Sequence, residues 1–219
     1  MYQCSSYDQT TSLYREVANT NNTYMRVFHA SPNAPAVDVY MNETLIARRL
    51  AYKNFSNYIS VPPGKYNVKV FPTGKKDTPV INTNVDVPAR SIITVSAIGT
   101  LPNISLLPIL EPVFDRIPGR AYLRFAHLAP TTPNVDLLAS GQKLFSNVAY
   151  KNVTNYIPVN PGVYTFNLNS TSNNQRILYV PNMRLLPNKI YTIYAVGLLG
   201  KTPPLQLVIP LDGNTYLKL

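Results

Sequence analysis

The chain has 219 residues, a formal net charge of +10, 45% apolar residues and only 14% charged ones. That length suits one large domain or two small ones with a packed core. Twenty prolines against nine glycines exclude a fold of long helices, and sixteen tyrosines with many Val, Ile and Thr favour strands. No stretch is apolar for long enough to span a membrane, so membrane insertion is not expected. The basic residues are scattered, with Arg48-Arg49 and Lys75-Lys76 as the densest clusters. Without a basic stripe or a recognition motif, nucleic acid is not an expected partner. Anionic wall polymers and spore layers stay open as weak partners.

Residues 1–23 read as an N-terminal arm. They contain no apolar core of the kind a signal peptide has, so either export by the general secretory route is not used or a leader has been removed. Cys4 is the single cysteine and cannot form an intramolecular disulfide. The arm is either an unstructured tail or an assembly segment whose candidate residues are Tyr2, Cys4, Leu13, Tyr14 and Val17. An extended arm can add a strand to the open sheet edge of a neighbouring copy, and head-to-tail addition gives a filament. Cys4 would then be placed to cross-link subunits.

Next comes "HASPNAPAVDVY", His29 to Tyr40, which returns as "HLAPTTPNVDLL", His127 to Leu138. The offset between the histidines is 98 residues (127 − 29). Tyr24 and Tyr122, Arg26 and Arg124, Asp38 and Asp136, Tyr52 and Tyr150, Tyr58 and Tyr156, Gly99 and Gly197 and Pro112 and Pro210 share it, and the alignment is read without a gap. The chain is therefore a tandem duplication. The domains are read as 24–114 and 122–219, joined by a linker at 115–121 too short for free movement. The two units pack as a fixed or hinged pair.

Within each unit the hydrophobic period is two. In "KYNVKVF" Tyr66, Val68 and Val70 point one way and Asn67 and Lys69 the other. In "VYTFNLN" Tyr164, Phe166 and Leu168 point inward. "SIITVSAIG" and "KIYTIYAVG" are continuous apolar runs and read as central strands. "PPG" and "NPG" before a strand are turn signals. Seven or eight short strands per unit follow, with no sustained helical period. The fold class is all-β: two tandem Ig-like or prealbumin-like antiparallel β-sandwiches.

The stretch from Met25 to Val70, with "HASP", "APAVDVY" and "PPGKYNV", resembles the bacterial family catalogued as domain of unknown function 4397. The second unit is similar but looser, with Leu128-Ala129 and Leu137-Leu138 at variant positions. The resemblance covers about nine-tenths of the chain. It implies the fold and a cell-envelope or surface setting, and assigns no activity. A spore-surface protein, made in the mother-cell cytoplasm and deposited afterwards, reconciles that setting with the missing signal peptide.

The candidate chemistry is thin. His29 with Asp38, and His127 with Asp136, give two ligands per unit where zinc needs three or four. Ser31 lies near His29, but its counterpart is Ala129, so a duplicated hydrolytic site is not expected. The four residues read instead as a structural loop motif, in which imidazole and carboxylate satisfy loop backbone groups. No catalytic residue, metal or cofactor is expected. Tyr52, Tyr58, Tyr150 and Tyr156 are either a sugar-stacking platform or fill the sandwich edge. The function read from the sequence is a non-enzymatic structural protein of a bacterial cell or spore surface. It self-assembles through its arm as a homopolymer, in contact with other surface proteins or wall polymers. The alternative is an adhesin for glycan or anionic wall polymer.

Overall fold

The computed structural model describes residues 22–219, so Tyr2, Cys4, Leu13, Tyr14 and Val17 lie outside the described residues. Each repeat forms eight strands in two four-stranded sheets. In the first repeat these are β1 (Tyr24–His29), β2 (Val37–Met41), β3 (Thr44–Leu50), β4 (Ile59–Ser60), β5 (Gly64–Pro72), β6 (Ile81–Val87), β7 (Ile92–Thr100) and β8 (Asn103–Leu110). In the second they are β9 (Ala121–His127), β10 (Val135–Ala139), β11 (Gln142–Val148), β12 (Ile157–Val159), β13 (Gly162–Ser170), β14 (Arg176–Leu185), β15 (Ile190–Val196) and β16 (Gln206–Val208). The inner sheets run β4-β1-β7-β8 and β12-β9-β15-β16, and the outer sheets run β3-β2-β5-β6 and β11-β10-β13-β14. The outer sheets are antiparallel throughout, while β1 with β7 and β9 with β15 pair in parallel.

Local sequence explains the connections. The β2–β3 hairpin turns at Asn42 (φ 43°) and Glu43 (φ 66°), and the β10–β11 hairpin at Ser140 (φ 47°) and Gly141 (φ 87°). Two successive positive φ values match the right-handed twist of the flanking strands. The prolines after His29 and His127 carry the chain across from the inner to the outer sheet without presenting backbone donors that would need partners.

The inner strands are apolar on both faces because each has two cores to fill. On β1, Met25 and Val27 enter the core of the first sandwich, and Phe28 faces the second repeat. On β15, Tyr191, Ile193 and Ala195 enter the core of the second sandwich, and Tyr194 and Val196 face the first. The inner sheets therefore meet back to back over Phe28, Ile98, Ile109, Ala126, Leu128, Tyr194 and Val196. Phe55 stacks on Phe28 with ring centroids 3.9 Å apart, and Tyr194 packs against both rings. Burying a side chain the size of Phe28 contributes roughly 1.5–3 kcal/mol. An interface of this kind packs the repeats as layers of one structure.

The gapless alignment does not survive. The offset of 98 holds from β1 to Gly197 apart from a one-residue bulge in β14, which sets Leu178 opposite Leu168 where Ile81 faces Val70, and then three residues enter the β15–β16 connection. On β7, Ile93 pairs with Leu110; on β15, the matching Tyr191 pairs with Leu211. Glu111 N–H donates to Ile92 O (2.8 Å), and Asp212 N–H donates to Ile190 O (3.0 Å). Pro112 thus corresponds to Gly213 and not to Pro210. The last two prolines matched by coincidence of spacing.

Candidate functional site

The His–Asp pairs are not joined. His29 Nε2 lies 3.0 Å from Pro35 O, and His127 Nε2 lies 3.1 Å from Pro133 O. A carbonyl can only accept, so Nε2 carries the proton in both rings. Both imidazoles are buried, and burial pushes their pKa values below the ordinary range. Asp38 Oδ1 accepts from Arg49 N–H (2.8 Å) and Thr73 Oγ1 (3.2 Å), on the opposite side of the loop. Asp136 Oδ1 accepts from Asn147 N–H (2.8 Å) and Thr171 Oγ1 (2.9 Å). The Arg49 N–H foremost holds Asp38 below the usual carboxylate range. Burial acts to raise Asp136, and Lys143 with the Asn147 N–H overcomes it and lowers the group. Ser31 Oγ donates to Gly99 O at 2.7 Å, so its proton is directed away from His29. Among the described residues no group of three or more His, Cys, Asp or Glu could hold a metal ion.

The four tyrosines lie partly buried at the junction of the two sandwiches. Tyr52 and Tyr150 are half-buried against the interface cluster, edge-on to His29 (6.1 Å) and His127 (6.2 Å). Tyr58 and Tyr156 reach a buried ionic cluster that sequence reasoning missed. Arg26 Nε donates to Thr94 Oγ1 (2.8 Å), and the Thr94 hydroxyl donates to Glu111 Oε1 (2.6 Å). Arg124 Nε donates to Thr192 Oγ1 (2.7 Å), and the Thr192 hydroxyl donates to Asp212 Oδ2 (2.5 Å). Tyr58 donates to Glu111 (2.6 Å) and Tyr156 to Asp212 (2.5 Å). Each guanidinium lies 4.5 Å over the ring of its own repeat's tyrosine.

The two networks exchange partners across the interface. Arg26 Nη1 donates to Leu211 O (3.0 Å), and Arg124 Nη1 donates to Leu110 O (2.5 Å). Arg26 Nη2 also pairs with Asp212 (3.3 Å) and Glu111 (3.5 Å). The symmetry then fails at one atom. Gly213 N–H donates to Glu111 Oε2 (2.6 Å), whereas its counterpart Pro112 has no N–H to offer Asp212. Asp212 is also a methylene shorter than Glu111, and Arg124 Nη2 has no hydrogen-bond partner among the described residues. Burial first, and then the charge of Glu111, push Asp212 up to about 6. This cluster links the two sandwiches through hydrogen bonds that cross the interface. Its sequence signal was the shared Arg26 and Arg124. The acids escaped because the offset of 98 sets Glu111 against Ile209.

An open cleft of about 760 Å³ lies on the outer face of the first repeat, where the β2–β3 hairpin meets the β5–β6 loop. It brings Arg48 together with Lys75 and Lys76, two basic clusters that are far apart in the sequence, beside Tyr40. The Lys76 ammonium lies 5.2 Å over the Tyr40 ring, and Phe71 packs edge-on against that ring (5.6 Å). Two of the lining carboxylates are already engaged: Asp38 by backbone N–H groups, and Glu43 by Lys69 at 2.5 Å. Asp77 has no ion-pair partner among the described residues, so three cations face one free carboxylate. The second repeat carries Leu138, Ser146, Asn173 and Asn174 where the first has Tyr40, Arg48, Lys75 and Lys76.

Fold and geometry together define a double β-sandwich in which the shared histidines and aspartates hydrogen-bond to loop backbone groups and the shared arginines bridge the two repeats. The chain belongs to the family described as "Domain of unknown function (DUF4397)", whose profile matches residues 23–138 and 121–215. No curated protein matches it. Among solved structures it is similar to a leucine-rich repeat protein from Bacteroides thetaiotaomicron (14% identity, TM-score 0.23), with 82% of this chain and 26% of that one covered. The chain thus spans about a quarter of that protein. It is also similar to a family 26 carbohydrate-binding module of Eubacterium rectale Amy13K in complex with maltoheptaose (8% identity, TM-score 0.27, 88% and 99% covered). A third is a streptococcal virulence factor that binds alpha-glucan (12% identity, TM-score 0.26, 90% and 99% covered). TM-scores this low do not define a shared fold. Among the described residues no helix is long and apolar enough to cross a membrane.

Proposed function

We propose that the protein is a non-enzymatic binding module of a bacterial surface, and that the cleft of the first repeat holds an anionic wall polymer. The observation that carries this is the divergence of two copies of one fold. The residues that hold loops and sheets together recur in both copies. Tyr40, Arg48, Lys75 and Lys76 occur in one.

The test is retention on a phosphate-bearing wall polymer, compared between the natural protein and the variant R48S/K75N/K76N, which installs the second repeat's residues. Three exposed cations at about 0.5–1 kcal/mol each predict a loss of roughly tenfold to a hundredfold in affinity, with a weaker salt dependence. Equal retention of the two proteins overturns the reading. Retention on a neutral glycan alone makes the ligand a sugar and the cations incidental.

Self-assembly at a spore surface is a second proposal. It is favoured by an arm at residues 1–23 with no counterpart ahead of the second repeat, and by β6 and β14, which lie at open sheet edges. Deleting residues 1–22 tests it: identical polymers with and without the arm overturn it.

A further inference from the structure

The two outer sheets end on edge strands that have diverged. In the first repeat that strand is β6, and in the second β14 takes its place. β14 is guarded in the ways that edge strands commonly are, by charge, by proline and by a bulge. It carries Arg176 and Arg184, and two register shifts interrupt its pairing with β13. At the first shift Tyr164 faces Met183 and Phe166 faces Val180, so Pro181 and Asn182 together oppose Thr165. Asn182 takes a left-handed φ of 60° there. Such a bulge bends the strand, and its proline removes a backbone donor.

β6 has none of these guards. It pairs with β5 at every residue from Ile81 to Val87 without a shift, and Asn84 stands where the second repeat has its bulge. The strand contains no proline and no basic residue, and Asp86 is its one charge. Asp86 has no ion-pair partner among the described residues. Ile81, Val85 and Val87 are buried in the sandwich, while Asn82, Asn84 and Asp86 are exposed on the other face. Asn67 Nδ2 donates to Asn82 Oδ1 (2.9 Å) and reaches Asn84 Oδ1 (3.5 Å), so this face already belongs to an asparagine ladder. Among the described residues no strand pairs with the free edge of β6. A straight, unguarded edge is a template for one more strand.

We propose that β6 is a dimerisation edge whose occupant is β6 of a second copy, running antiparallel and centred on Asn84. The strand is complementary to itself in that register. Matching its full length sets Asn82 of one copy against Asp86 of the other, Asn84 against its own equivalent, and Thr83 against Val85. The unpaired carboxylate of Asp86 then meets an amide that can donate to it, and no two like charges stand opposite each other. The contact is two-fold and closes on itself, so it gives a dimer and no filament. It joins two four-stranded outer sheets into one continuous sheet. The two-fold axis stands perpendicular to that sheet, which puts the cationic clefts of both copies on the same side. That consequence rests on the cleft reading above; the pairing itself does not.

Sedimentation of the full-length protein at rising concentration tests this, and is expected to show a reversible equilibrium between monomer and dimer. Replacing Asn84 by the Pro-Asn pair of the second repeat is expected to leave only monomer, with the melting transition retained. N84K and N84D each set like charges opposite one another across the two-fold axis. Each is expected to dimerise roughly threefold to fivefold more weakly, the size of one unfavourable cross-strand pair. An equimolar mixture of the two is expected to restore the dimer, because lysine then faces aspartate. Both are substitutions at an exposed position, so they decide the matter even where the bulge variant fails to fold. A natural protein that stays monomeric overturns the proposal. So does a folded bulge variant that dimerises undiminished. A mixture no tighter than either variant alone also overturns it, since that is the result for an N-terminal arm seated on this edge. R48S/K75N/K76N leaves β6 intact and dimerises as the natural protein does, so this proposal and the cleft reading can fail separately.

Discussion

Glu111 and Asp212 occupy the same place in the two sandwiches, although they stand 101 residues apart (212 − 111) where most of the duplication keeps 98. Each directly follows the last residue paired with the central inner strand (Leu110 with Ile93, Leu211 with Tyr191), and each accepts from a threonine and a tyrosine of its own repeat. Arg26 lies between them, at 3.5 Å and 3.3 Å. The duplication therefore kept the geometry while its spacing drifted, and it placed two cations and two acids together at the centre of the interface.

Replacing Arg26 tests what that cluster contributes. Arg26→Met removes the bonds to Thr94 and Leu211 and leaves two buried acids to share Arg124. Breaking one partner out of a buried ionic group costs about 3–5 kcal/mol. Urea denaturation is expected to show a loss of that size. A change under about 1 kcal/mol, the value of an exposed pair, would mean that the interface is solvated.

The two buried histidines are expected to make the protein acid-sensitive. Their folded pKa values lie below the ordinary 6.5 because burial disfavours the charged ring. As pH falls through 6.5 the unfolded chain takes up protons that the folded chain refuses. Stability is then lost, by up to about 1.4 kcal/mol per pH unit for each ring, until the folded values are reached. Thermal melting from pH 8 to pH 5 is expected to show this fall, and the double variant H29Q/H127Q to flatten it. An unchanged slope in that variant would assign the effect elsewhere.

Asp212 acts in the opposite direction. Its folded pKa of about 6 lies above the ordinary 3.8. Between those values the folded chain holds a proton that the unfolded chain has released, so this group's contribution declines as pH rises through the window and is largest below it. Asp212→Asn fixes the neutral form. The variant is expected to lose stability more steeply than the natural protein as pH falls from 6 to 4, because the opposing contribution is gone. A parallel pair of melting curves would show that Asp212 titrates normally.

Two glycines differ in what a methyl group would meet. At Gly197 the backbone sits at φ 95°, and an added Cβ would collide with the carbonyl oxygen of Pro204. At Gly141 the backbone is also left-handed, at φ 87°, but nothing lies within 4 Å. Gly141→Ala is expected to cost about 1–2 kcal/mol from backbone strain alone. Gly197→Ala adds a backbone clash and is expected to cost clearly more, with the β15–β16 connection displaced. Equal losses by urea denaturation would mean that this connection yields freely.

The sequence by itself determined the duplication, the all-β class, the strand periodicity and the loop design around His29 and His127. Those are local patterns, and a two-residue period with proline-fixed turns is legible in one dimension. It also contained the continuous apolar character of "SIITVSAIG" and "KIYTIYAVG". That these strands are buried on both faces, against a second sandwich as well as their own partner sheet, became visible only in the tertiary structure. The same holds for Glu111 with Asp212 and for the meeting of Arg48 with Lys75 and Lys76. Each depends on which segments of a folded chain come within hydrogen-bonding distance, and sequence spacing does not encode such distances once an insertion has shifted the register.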